Sequence, residues 1–159
     1  MSRISHIELD DHNLPPPTPE IEQERRVAMF DLMEENSFDL PQRDDAPATS
    51  GPYRMALAIR EGRLAFDVRG EDSSPAADFT LPLSPFKQVV KDYFAICDSY
   101  FDAVKTMPPG QIEMIDEARR AIHGIGARIL EERLIGKALV DDDTARRLFT
   151  LICVLHHGD

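Results

Sequence analysis

Four arginines sit where a hairpin would gather them. In the run YRMALAIR-EG-RLAFDVR, residues 53–69, apolar and polar residues alternate on either side of Glu61-Gly62, which can form a two-residue turn. That turn sets Ile59 opposite Leu64, Leu57 opposite Phe66 and Met55 opposite Val68 on the inner side. On the outer side Arg54 lies opposite Arg69 and Arg60 opposite Arg63, around a floor of Ala56, Ala58, Ala65 and Asp67. Guanidiniums flanking small residues can clamp a carboxylate or phosphate in bidentate fashion, or dock an acidic partner or a second copy of this chain. The plainer alternative is a solvated face whose arginines snorkel over the sheet or pair with the protein's own carboxylates.

A second group is Cys153, His156 and His157 at the C-terminus. On a continuing helix Cys153 and His157 are one turn apart, and thiolate and imidazole are good zinc ligands. One helix does not complete a zinc site, so His6, His12 or His123 would have to supply the rest; histidine at a helix end also complements the dipole. A third is His123-Gly124-Ile125-Gly126 within a helical pattern. Interior glycines cost a helix stability and are kept where a backbone or ligand approaches closely, close helix packing being the simpler account. Arg146 and Arg147 follow Asp141–Asp143, a capping cluster with internal ion pairs. No phosphate loop, dinucleotide fingerprint, paired-cysteine zinc motif or nucleophile elbow is present, so no catalytic residue and no cofactor is expected.

The elements that must position these residues follow from periodicity. Residues 3–9 read as a strand; Pro15, Pro16, Pro17 and Pro19 stiffen an extended arm, and Thr18 caps a helix running to about residue 36. Residues 37–52 read as a loop, and 79–83 as an edge strand. Three helices follow, opening at Ser84-Pro85, at Gln111 and at Asp141–Asp143, the last apolar over most of its surface and placed centrally. The expected fold is α+β: a small antiparallel sheet of three to four strands, helices packed on one face, and a helical C-terminal half. Residues 1–159 are read as one domain, with strands and the first helix in 3–83 and three helices in 84–157.

Composition narrows the partners. With 159 residues and a net charge of -11, the chain repels phosphate backbones and anionic membranes, which argues against nucleic acid or membrane as partner. Two cysteines in apolar patterns, no signal-like N-terminus and no long apolar run point to a soluble cytoplasmic protein.

The blocks RISHIELDD, LPPPTPEIEQER, GPYRMALAIREGRLAFDVR and DTARRLFTLICVLHHG resemble, over nearly the whole chain, the alphaproteobacterial uncharacterised protein family numbered 0262. That resemblance implies no reaction, cofactor or catalytic residue. The residues themselves favour a non-catalytic binding or regulatory module engaging a protein partner, or itself as a homodimer, through Arg54, Arg60, Arg63 and Arg69. One alternative is a small enzyme on an anionic metabolite, those arginines holding the anion and His123 or His156 acting as acid or base. Another is metal carriage through Cys153, His156 and His157.

Overall fold

The computed structural model describes residues 2–12, 14–41 and 51–156. Its element order is β1 (Ile4–Leu9), α1 (Pro19–Glu34), β2 (Phe38–Asp39), β3 (Tyr53–Arg60), β4 (Arg63–Gly70), β5 (Pro75–Pro82), a 3-10 turn (Ser84–Phe86), α2 (Lys87–Thr106), α3 (Pro109–Leu134), β6 (Leu139–Val140) and α4 (Asp142–Leu155). The hairpin forms in the expected register, with Arg54 paired to Arg69, Met55 to Val68, Leu57 to Phe66, Ile59 to Leu64 and Arg60 to Arg63. Glu61 at φ 53 and Gly62 at φ +73 make the turn, both in the left-handed region that matches the twist of the flanking strands. Nothing lies within 4 Å of a Cβ built on Gly62, so Gly62→Ala tests backbone strain alone. It should cost about 1–2 kcal/mol in denaturant unfolding, the penalty of a Cβ in the left-handed region. An unchanged midpoint would contradict this turn geometry.

The sheet runs in the order β1-β3-β4-β5. It is mixed: β3, β4 and β5 are antiparallel neighbours, while β1 lies parallel to β3. The physical reason is the connection. The chain leaves β1 through α1 before returning as β3, and a crossover of this kind delivers a parallel strand where a short turn cannot. Asn36, just beyond α1, fastens that edge. Its carboxamide accepts from Ile4 N at 2.7 Å and donates to Ile4 O at 2.9 Å and to Leu32 O at 2.8 Å. The third hairpin strand is longer than expected, and β2 pairs with β6 as a separate two-stranded ribbon. Two-residue strands carry no readable alternation. The loop expected over 37–52 thus holds β2, and its stretch 42–50 lies outside the described residues.

Helix starts follow the capping residues. Thr18 accepts from Ile21 N at 3.2 Å and Asp141 from Thr144 N at 2.9 Å. One apolar cluster joins the inner sheet face (Met55, Leu57, Leu64, Phe66, Val68) to all four helices. α4 is the central element: from Leu148 to Leu155 every residue is buried. Each fully buried large apolar side chain there contributes roughly 1.5–3 kcal/mol. No helix among the described residues is long and apolar enough to cross a membrane.

Candidate functional site

The outer face of the sheet is ordered in rows across the strands. One row is His6, Arg54 and Arg69; the next is Glu8, Ala56, Asp67 and Asp78; then Ala58, Ala65 and Thr80; then Arg60 and Arg63. The pattern is basic, acidic, small and neutral, basic. Ala56, Ala58, Ala65 and Asp67 from these rows, with Asp10, Glu61 and residues of β5, line a concavity of about 650 Å³ together with Arg60, Arg63 and Arg69. Arg54 does not line it, and turns instead to His6, with Nη1 3.3 Å from Nδ1. The internal partners of the other three are loose or neutral. Arg60 lies 3.7 Å from Asp10, Arg69 3.4 Å from Asp67, and Arg63 donates to the Thr80 hydroxyl at 2.9 Å. His12 beside Asp10 holds the Asp10 carboxyl below the usual carboxylate range. Exposed pairs at such distances hold their partners weakly, so the guanidinium heads remain available to a ligand. The Arg60 side chain is 68% exposed.

A second concavity lies among the helices. α1 and the α2–α3 hairpin form its two walls, and α4 supplies its floor. It comprises two hollows, of about 210 and 280 Å³, that share Glu24, Tyr93 and Thr150. Glu24 bridges the walls: Tyr93 donates its hydroxyl to Oε2 at 3.1 Å, and Arg119 Nη1 lies 3.7 Å from Oε1. Burial drives the Tyr93 hydroxyl far above the usual phenol range, with Glu24 adding to the effect, so it remains a donor at neutral pH. Arg119 rests over the Tyr100 ring at 4.4 Å and donates twice to Asp116 Oδ1, at 3.1 and 2.7 Å. His123 Nε2 meets the Thr150 hydroxyl at 2.7 Å, its ring packed against Tyr93 and Phe149. Burial lowers its pKa to about 4, with Arg146 and Arg119 adding to the shift, so the imidazole is neutral at pH 7.

The groove leaves a faint trace in the sequence: Arg119 falls in the Ile112, Ile115, Ile122 stripe of α3 and Glu24 between Ile21 and Ala28 on α1. Two opposite charges at core-facing positions of two helices were the available signal. The HGIG segment resolves as close packing: a Cβ on Gly126 would stand 2.3 Å from the Phe149 ring. Arg146 pairs with Asp142 at 3.0 Å, and Arg147 donates to Glu35 O at 2.8 Å.

The structure does not bring His123 or His156 together with Arg54, Arg60, Arg63 or Arg69. His123 and His156 line the helical groove, Arg60, Arg63 and Arg69 the sheet concavity, and the two share no lining residue. Cys153 is buried with its thiol pushed well above the usual range by that burial, and His156 is buried at the end of α4. His157 lies outside the described residues. Among the described residues no group of three or more histidine, cysteine, aspartate or glutamate side chains could hold a metal ion.

Comparison with known proteins places these features in one family. A UPF0262 protein of Ruegeria pomeroyi is 70% identical over 158 residues, covering 99% of this chain and 98% of its own. One of Roseobacter denitrificans is 68% identical, covering 99% of each. One of Cereibacter sphaeroides is 65% identical, covering 99% of this chain and all of its own (100%). No solved structure matches the chain. The model of the uncharacterised protein family UPF0262 matches residues 1–158, and the chain belongs to that family.

Proposed function

We propose that this chain is a non-catalytic cytoplasmic binding module that engages an acidic protein surface through the outer face of its sheet. The observation that carries the reading is the concavity of about 650 Å³ rimmed by Arg60, Arg63 and Arg69 over an alanine floor. Three guanidiniums stand there among four carboxylates, Asp10, Glu61, Asp67 and Asp78, so the concavity supports the reading by offering forked donors rather than a field of opposite sign. The small floor lets a partner's backbone or carboxylate approach, and the fork geometry of arginine suits carboxylates in particular. The acidic row through Glu8, Asp67 and Asp78 restricts which partners fit, since a purely acidic surface meets repulsion there. A second copy of this chain is one acidic surface that meets the description.

The test is native mass spectrometry of untagged protein purified from its own cells, beside the double variant Arg60→Glu, Arg63→Glu. The wild type should retain a partner subunit or a second copy. The double variant should weaken capture at least about tenfold with unchanged circular dichroism, because reversed rim charges oppose the same acidic groups. Equal capture by both proteins would sink the reading.

A further inference from the structure

We infer that the groove between α1 and the α2–α3 hairpin is a binding site for a small amphipathic monocarboxylate, with the Glu24 side chain as its tethered stand-in. The seat for the carboxylate is already built: the Tyr93 hydroxyl and the Arg119 guanidinium converge from one wall on a single carboxylate supplied by the other. Glu24 fills that seat imperfectly. Its distance of 3.7 Å to Arg119 is beyond hydrogen-bond length, because its reach is fixed by α1. Its side chain is 21% exposed, so it can swing outward. An untethered carboxylate meets both donors at closer range.

The surroundings define the rest of the ligand. On one side of the seat Ile21, Phe94, Phe101, Val154 and the two buried thiols of Cys97 and Cys153 line the hollow of about 210 Å³. This hollow accepts a short alkyl chain or a ring, and the ionisable side chains that line it besides Tyr93 and the two thiols are Glu20, Glu24, Asp98 and His156. On the other side Arg119, Arg120, Arg146 and Arg147 line the hollow of about 280 Å³ against three carboxylates, Glu24, Asp31 and Asp143. Asp116 pairs with Arg119 and Arg120, and Asp142 with Arg146, so Glu24 swinging away removes one of the two carboxylates that Arg119 faces, and a ligand carboxylate takes that place. Apolar tail, carboxylate head and cationic flank thus lie in line along α4. This site is separate from the sheet concavity and does not depend on its role.

The experiment is a titration of the full chain with sodium octanoate, followed by amide chemical shifts, with octanol as the headless control. Wild type should show saturable shifts at Glu24, Tyr93, Phe94 and Thr150. Glu24→Gln, which keeps a hydrogen-bonding head for Tyr93 but removes the competing charge, should bind octanoate several-fold more tightly. Arg119→Met should bind about tenfold more weakly, the loss of one charge-assisted contact. The Glu24→Gln comparison decides the matter even where Arg119→Met does not fold. No saturable binding by wild type and Glu24→Gln, equal affinity for octanol, or undiminished binding by folded Arg119→Met would each overturn the proposal.

Discussion

Gly126→Ala is expected to destabilise the protein by about 2–3 kcal/mol, the penalty of overpacking a closed core. A Cβ at this position would lie 2.3, 2.4 and 2.5 Å from three atoms of the Phe149 ring, where carbon atoms normally rest at about 3.5–4.0 Å. The ring cannot give way. Phe149 is fully buried, with Tyr93 edge-on at 5.9 Å and His123 at 5.7 Å, the two packed 5.4 Å from each other against it. Alanine's better helix propensity returns only about 1 kcal/mol. Gly124→Ala is the control within the same helix. Its Cβ would touch only the far end of Arg146, at 3.0 Å, a flexible side chain that can move. That variant should be neutral or slightly stabilising. Urea unfolding of both variants separates the two glycines, and equal midpoints would refute close helix contact at Gly126.

The second large effect is acid destabilisation through His123. Its folded pKa of about 4 lies below the ordinary value of 6.5, so the unfolded chain takes up its proton first as pH falls. Above pH 6.5 the residue is neutral in both states and contributes no slope. Between 6.5 and about 4 stability is progressively lost, and below that the curve is flat again. The full shift corresponds to roughly 3 kcal/mol at 1.36 kcal/mol per pKa unit, and partial solvent access reduces this to about 2. The groups facing the imidazole are Arg146, Arg119, Asp142, Tyr93 and the Thr150 hydroxyl. Comparing wild type with His123→Gln over pH 4–7 isolates the effect, because other acid-sensitive groups act in both proteins and cancel in the difference. Parallel stability curves would show that His123 is not held neutral by the fold.

The hairpin was readable to the residue because two constraints agreed: alternation fixed which side each residue faced, and Glu61-Gly62 fixed the register. The caps at Thr18 and Asp141 were readable for a similar reason, each being a side chain that serves its own helix. The direction of β1 was not, because a strand of six residues has the same pattern whichever way it runs. The β2–β6 ribbon carried no period to detect. The arginine rows could be placed from the hairpin alone, but Glu8 and Asp78, which turn them into a banded surface, come from strands whose register had to be seen. The helical groove was hidden for a deeper reason. It arises from how α1 and the α2–α3 hairpin lean on α4, and nothing local in any one helix encodes the gap between two others.

On the proposed reading, the banding of the outer sheet face governs encounter rates as well as fit. Basic and acidic rows alternate within a few residues, so beyond a Debye length of about 8–10 Å their fields merge into that of the acidic whole. An approaching acidic partner first meets the repulsion of a chain carrying -11, and finds the arginines only at contact. Added salt screens the distant repulsion and the contact pairs alike. Association through this face therefore speeds up with ionic strength while the complex formed lives for a shorter time.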